Sequence, residues 1–263
     1  MSEDIIRKNN SAYAKYEELL LRRDELKKEA FQIEQAYIRE FGDLILEVFR
    51  KKMECIRKKK TIEYCRTFIN HGENVDINAL REHLQQELRE YQERLDDMMK
   101  ENEAAKNTET ISESEVLEIK RIYHRLVKKL HPDIHPETLK NKKLEELWHR
   151  LQVEYNCNDL ERILETEVII NSVLENAEPG AAAAIPDIDE KIRELENEIE
   201  EIKSTDPYKY KYILDDKTAV AEKKKELRQE LEEYEEYSRK LDAMISEITA
   251  EGVTFTWEMS LVT

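Results

Sequence analysis

Glycine and proline are scarce in this chain, with four glycines and five prolines among 263 residues. Each can therefore be read as punctuation between helices. Gly42, Gly72, Gly180 and Gly252 fall between periodic segments, as do Pro132, Pro136, Pro179, Pro186 and Pro207, and none interrupts a strong helical pattern. The three cysteines, Cys55, Cys65 and Cys157, are odd in number and form no CxxC, which speaks against a disulfide framework and a structural zinc site. No apolar run is long enough to span a bilayer, and Met1-Ser2-Glu3-Asp4 lacks the basic-then-apolar layout of a secretion signal. The expected location is the cytoplasm, with no membrane partner. Positive charge is outweighed by negative, for a formal net charge of −17, which argues against nucleic acid as a partner. No nucleophile–base pairing or phosphate-cradling glycine loop is visible, so neither an enzyme nor a cofactor is expected.

Charge and helix-forming residues are what the chain has in quantity. Charged residues make up 39% of it and aromatics only 7%, the profile of long helices and coiled coils. The expected fold is all-α. From Ala12 to Glu40, Tyr16, Leu19, Leu26, Ala30, Ile33 and Tyr37 recur at steps of three and four, a seam that Arg23 interrupts. After Gly42 a second, basic helix is expected to run to Asn70, carrying Arg50-Lys51-Lys52 and Arg57-Lys58-Lys59-Lys60. A third, from Asp76 to Ala104, is acidic and should pair antiparallel with it. Its heptad of Ile77, Leu84, Tyr91 and Met98 calls for a helical partner, within the chain or in a second copy. A homodimer is therefore expected over a monomer.

Boundaries follow from these patterns. Residues 1–106 read as a helical coiled-coil region, 107–176 as a central helical module and 177–186 as a linker. Residues 187–250 read as a coiled-coil hairpin turning near Pro207, and 251–263 as an extended tail. In the tail Val253, Phe255, Trp257, Met259 and Leu261 alternate with polar residues, a strand period. Such a strand pairs with another chain, folds back on a helix, or frays.

The central module holds the informative stretch. Ile119, Ile122, Tyr123, Leu126, Val127 and Leu130 share one helix face, with Lys120, Arg121, Arg125, Lys128 and Lys129 around them. Asp and Glu are absent from Ile119 to Pro132, leaving a local positive surface able to steer an acidic partner. Pro132 forces the helix to end at His131, and His135-Pro136 stiffens the bend again four residues later. Pro136 is then placed to open the returning helix. Leu144, Leu147, Trp148, Leu151 and Tyr155 give that helix its apolar face. The histidines 124, 131, 135 and 149 are not expected to form a metal site, because the prolines destroy the helical i, i+4 geometry at 131 and 135.

Tyr123-His124-Arg125-Leu126-Val127 followed by His131-Pro132-Asp133 resembles the second helix and signature loop of the J domain, the DnaJ co-chaperone module. Trp148, Leu151 and Tyr155 match the family's core positions on the returning helix, and Tyr123, Leu126 and Leu130 face them. The resemblance covers Glu115 to Tyr155. It implies docking on a DnaK-type ATPase and stimulation of ATP hydrolysis. His131, Pro132 and Asp133 would be the essential loop, and Arg121, Arg125, Lys128 and Lys129 the electrostatic contact. A client would be held on the coiled-coil arms.

Four departures accompany the likeness. The family's first helix has no match in Asn107 to Ser114, the loop is longer, Glu154 replaces a common alanine, and no Gly/Phe-rich or cysteine-rich region follows. The surface left bare by the missing helix should be covered by the end of helix 76–104 or by helix 159–175. The rival reading is a scaffolding protein that keeps the hairpin only as a folding unit. An active docking module should expose His131 and Asp133 and leave its basic face open. A scaffold would let neighbouring helices cover them.

Overall fold

A single helix, α1, runs from Ser2 to Asn70 and passes through Gly42 without a break. The structure is a computed structural model that describes residues 2–71, 73–107, 111–175 and 187–250. After α1 come α2 (Ile77–Asn107), α3 (Glu113–Leu130), α4 (Glu137–Lys140), α5 (Lys142–Asn156), α6 (Leu160–Glu175), α7 (Ile188–Ser204), α8 (Tyr210–Leu214) and α9 (Lys217–Ala250). Among the described residues there is no strand, and no helix is long and apolar enough to cross a membrane. The expected linker 177–186 and the strand pattern 253–261 lie outside the described residues.

The continuity at Gly42 corrects the expected break, and it has a steric reason. A Cβ built on Gly42 would lie 2.3 Å from Asn102 Oδ1 on α2. This glycine is there for close approach of a neighbouring side chain rather than to stop a helix. Asn102 is buried and donates to the Asp43 carboxylate at 2.9 Å.

The chain divides into two compact units, Met1–Gln35 with Glu109–Tyr212, and Ala36–Thr108 with Ile213–Thr263. This cuts across the expected 1–106 and 187–250 regions. The incoming and outgoing helices of the expected C-terminal hairpin fall in different units. In the second unit, α2 runs antiparallel to α1, with Lys60 paired to Glu87 and Lys106 to Asp43. The α9 helix packs on the same part of α1 through two apolar groups. Leu227 meets Phe41 and Val48, while Leu241, Ile245 and Ile248 meet Cys55, Ile62, Cys65 and Leu80. Between them Lys58 is buried with its ammonium 2.7 Å from Ser238 Oγ, 2.7 Å from Asp242 and 2.8 Å from Glu54. Within the basic stretch of α1, Lys58 is thus paired with α9 and Lys60 with α2 inside their own unit.

In the first unit, α3, α5 and α6 surround one core built on Ile119, Tyr123, Leu126, Leu151, Ile163 and Ile170. Local signals set the helix ends. Ser112 caps α3 in a reciprocal capping box with Glu115. Asn158 takes a positive φ of 57° after α5, and Asp159 accepts the Arg162 N–H to start α6. Here α6 packs across α3 and α5, with Ile163 and Ile170 in their shared core. It also explains Glu154, a buried carboxylate that accepts from Arg150 at 2.6 Å and from Thr166 of α6 at 2.9 Å. The α7 helix packs Ile192 and Leu195 against Tyr16 and Leu20 of α1. Of the three thiols, Cys55 and Cys65 are buried and Cys157 is exposed.

Candidate protein-docking site

The bend between α3 and α5 is shaped by the two prolines much as expected. The His131 N–H closes α3 on the Val127 carbonyl at 2.9 Å, and the His131 carbonyl accepts from Ile134 and His135 at 2.9 and 2.7 Å. His135 Nε2 lies 2.9 Å from the Lys128 carbonyl oxygen, tying the loop back to α3. One detail differs from expectation. Pro136 opens the four-residue α4, and the returning helix α5 starts later, where Asn141 accepts the Lys143 and Leu144 N–H groups. The short helix α4 thus lies between the proline bend and α5.

Below the loop the aromatic residues meet as their spacing implies. Tyr123 and Tyr155 stack with centroids 3.7 Å apart and planes 10° from parallel, and Trp148 sets its ring edge against His131 at 5.0 Å. Leu126, Leu130 and Leu151 are fully buried beside them.

What the sequence did not reveal is the role of α1. The His131 residue is only 3% exposed. Arg23 Nη2 lies 3.1 Å from its Nε2, while its Nδ1 accepts the Asp133 N–H, also at 3.1 Å. Burial is the main cause that holds the His131 imidazole below its ordinary pKa. Ile134, the next loop residue after Asp133, is buried among Tyr16, Leu20, Ile192 and Leu195. Asp133 itself stays open, with 42% of its side chain exposed. Burial, and after it the Asp133 carboxylate, push the Tyr16 phenol up to about 12.

The basic face of α3 is occupied by carboxylates. Lys128 pairs with Glu17, Lys120 with Glu25 at 2.7 Å, and His124 Nε2 meets the same Glu25 oxygen at 3.0 Å. On the other flank Arg125 forks onto Glu167 of α6 at 2.7 and 2.9 Å, and Lys129 donates to Asn171 at 3.0 Å. Arg121 is exposed with no ion pair among the described residues. The first unit therefore brings the loop, the basic face and the core positions into one module, and then closes most of it.

Two further α1 residues belong to this arrangement. The Tyr123 hydroxyl donates to Asp24 Oδ2 at 2.9 Å, and Lys28 sits with its ammonium 3.9 Å from the Tyr155 ring centre. Burial, with Lys120 nearby, brings the Lys28 pKa down to about 8. A signal for these residues was present in the sequence. Arg23 interrupts the apolar seam because it faces His131 rather than water, and Asp24 beside it faces Tyr123.

Among the described residues no group of three or more His, Cys, Asp or Glu side chains is placed to hold a metal ion. Comparison with family models, with curated proteins and with solved structures returned no match, so the likeness to the J domain rests on the residues named above.

Proposed function

We propose that this chain is a DnaJ-like co-chaperone in a closed conformation, one that recruits a DnaK-type ATPase through the His131-Pro132-Asp133 loop and the basic face of α3. It does no chemistry itself; it supplies a docking surface that shifts the partner toward its hydrolysing state. The observation that supports this most is the bend itself. Two prolines, a stacked Tyr123–Tyr155 pair and Trp148 set the loop at the end of a basic helix, with the Asp133 carboxylate still open to solvent. In this reading the long helices hold a client, and the protein works in the cytoplasm, alone or as a homodimer.

The burial of His131 counts against a permanently open docking module and favours a second reading. In that reading the chain is a helical scaffold in which the hairpin is a folding unit alone. Steady-state ATP hydrolysis by a DnaK-type chaperone, with the full chain and with His131→Gln, separates the two. Stimulation by the natural chain that the variant loses supports the co-chaperone. Equal stimulation by both defeats it. No stimulation by the natural chain, even after α1 has been loosened by the substitutions described next, leaves the scaffold.

A further inference from the structure

We infer that residues 16–28 of α1 are a displaceable cover, an internal acidic ligand that occupies the face of α3 meant for an acidic protein surface. This rests on the docking reading of α3, but its first test does not depend on that reading.

The polarity of the contacts is the starting point. Between Ile119 and Pro132 the chain has no acidic residue, and Glu17, Asp24 and Glu25 approach this helix from α1. A helix packed on α3 for structure alone would be expected to bury apolar side chains there. α1 does pack Leu21 on the core of α3, α5 and α6, and beside it lays carboxylates against Lys120 and Lys128, as an acidic partner would. Both cations are about half exposed, so salt can screen these pairs although Glu17 and Glu25 are themselves mostly covered.

The centre of the cover is electrostatically poor. A neutral imidazole has one accepting nitrogen, yet both nitrogens of His131 face N–H donors, from Arg23 and from the Asp133 backbone. Whichever tautomer forms, one of these two N–H groups finds no accepting nitrogen on His131, and Arg23 is held instead by Asp24 at 2.9 and 3.1 Å. Lys28 is buried on the Tyr155 ring with no carboxylate paired to it among the described residues. What holds the cover shut is apolar, chiefly Tyr16 and Leu20 against Ile134 and α7. The closed state is therefore the resting one, and its polar contacts are built to be exchanged. With α1 lifted, Lys120, Lys128, His131 and Asp133 would form one continuous surface for a carboxylate-rich protein partner.

The test is hydrogen–deuterium exchange on the full chain and on the double variant Glu17→Lys, Glu25→Lys. The expected result is at least tenfold faster exchange in 131–136 and in the exposed-side amides of α3, with α5, α6 and α9 unchanged. Exchange in 131–136 identical to that of the natural chain overturns the cover. If the variant loses protection throughout α5 and α6, the natural chain decides instead. Raising salt should then speed exchange at 131–136 selectively, and no salt effect there overturns the inference. A second measurement, ATP hydrolysis by a DnaK-type chaperone, keeps the two claims apart. Faster exchange without stimulation leaves the cover standing and sinks the co-chaperone reading, whereas unchanged exchange sinks the cover whatever the ATPase does.

Discussion

Arg23 Nη2 faces His131 Nε2 at 3.1 Å across 108 residues of sequence, while the other ring nitrogen already accepts the Asp133 N–H. Protonating the imidazole would add a positive charge beside the guanidinium and break the loop's own hydrogen bond. Burial, opposed by Asp24 and Asp133 and reinforced by Arg23, keeps the folded pKa below the ordinary 6.5. The unfolded chain therefore binds this proton first as pH falls. Stability from this group is complete above pH 6.5 and declines as pH drops from 6.5 toward the folded pKa. Denaturation followed between pH 7.5 and 5 should show that decline, and His131→Gln should flatten it. A variant as acid-sensitive as the natural chain in this window would show that His131 is not the responsible group.

Lys28 runs in the opposite sense to a stabilising lysine. Its folded pKa of about 8 lies below the ordinary 10.5, so its burial cost is present in full below pH 8 and is relieved as pH rises to 10.5. Lys28→Met should raise stability at pH 7 by roughly 1–3 kcal/mol, less whatever the contact with Tyr155 returns. It should also remove the upward slope above pH 8. Urea denaturation at pH 7 and at pH 9.5 reads both effects, and a destabilised variant at pH 7 would contradict the account.

Gly42→Ala sets helix propensity against packing. Alanine is better in a helix by about 1 kcal/mol, yet its methyl would meet the buried Asn102 side chain at 2.3 Å. Overpacking of this kind costs about 1–3 kcal/mol, so a net loss of stability is expected. In the background Asn102→Ala the sign should reverse, because the clash is gone and the propensity gain remains. Equal effects of Gly42→Ala in both backgrounds would show that Asn102 is not what the glycine accommodates.

In the second unit the Lys58 cluster predicts acid sensitivity at lower pH. Burial pushes the Glu54 carboxyl up, but hydrogen bonds from Lys58, Lys51 and Ser238 outweigh it and bring the group to about 2. Its contribution is complete above its ordinary 4.5 and is lost as pH falls from there to about 2. Glu54→Gln should be less stable at pH 7 and show a smaller loss over that interval. Circular dichroism across pH 5 to 2 provides the measurement, and parallel curves for the two proteins would remove Glu54 from the account.

The end of α3 was the most legible of the helix ends, because Pro132 acts on the residue directly before it. The loop and its core were legible for the same reason, since the His131 bend and the Tyr123, Trp148 and Tyr155 faces lie within one hairpin. Gly42 was not legible. A glycine that ends a helix and one that admits a neighbour look alike until Asn102, sixty residues on, is in place. Arg23 reads as a fault in an apolar seam, and only its distant partner explains it. The division of α7 and α9 between two units was hidden in the same way, because a heptad declares a need for a partner without naming it.

Because Cys55 and Cys65 are buried and Cys157 faces solvent at the end of α5, the natural chain carries a one-plus-two set of thiols. A maleimide dye should take up one equivalent at once and two more only as fast as the second unit opens. That difference makes the unaltered protein its own timer. A fluorophore at Cys157 reports from the hairpin, while the slow equivalents count openings around α9.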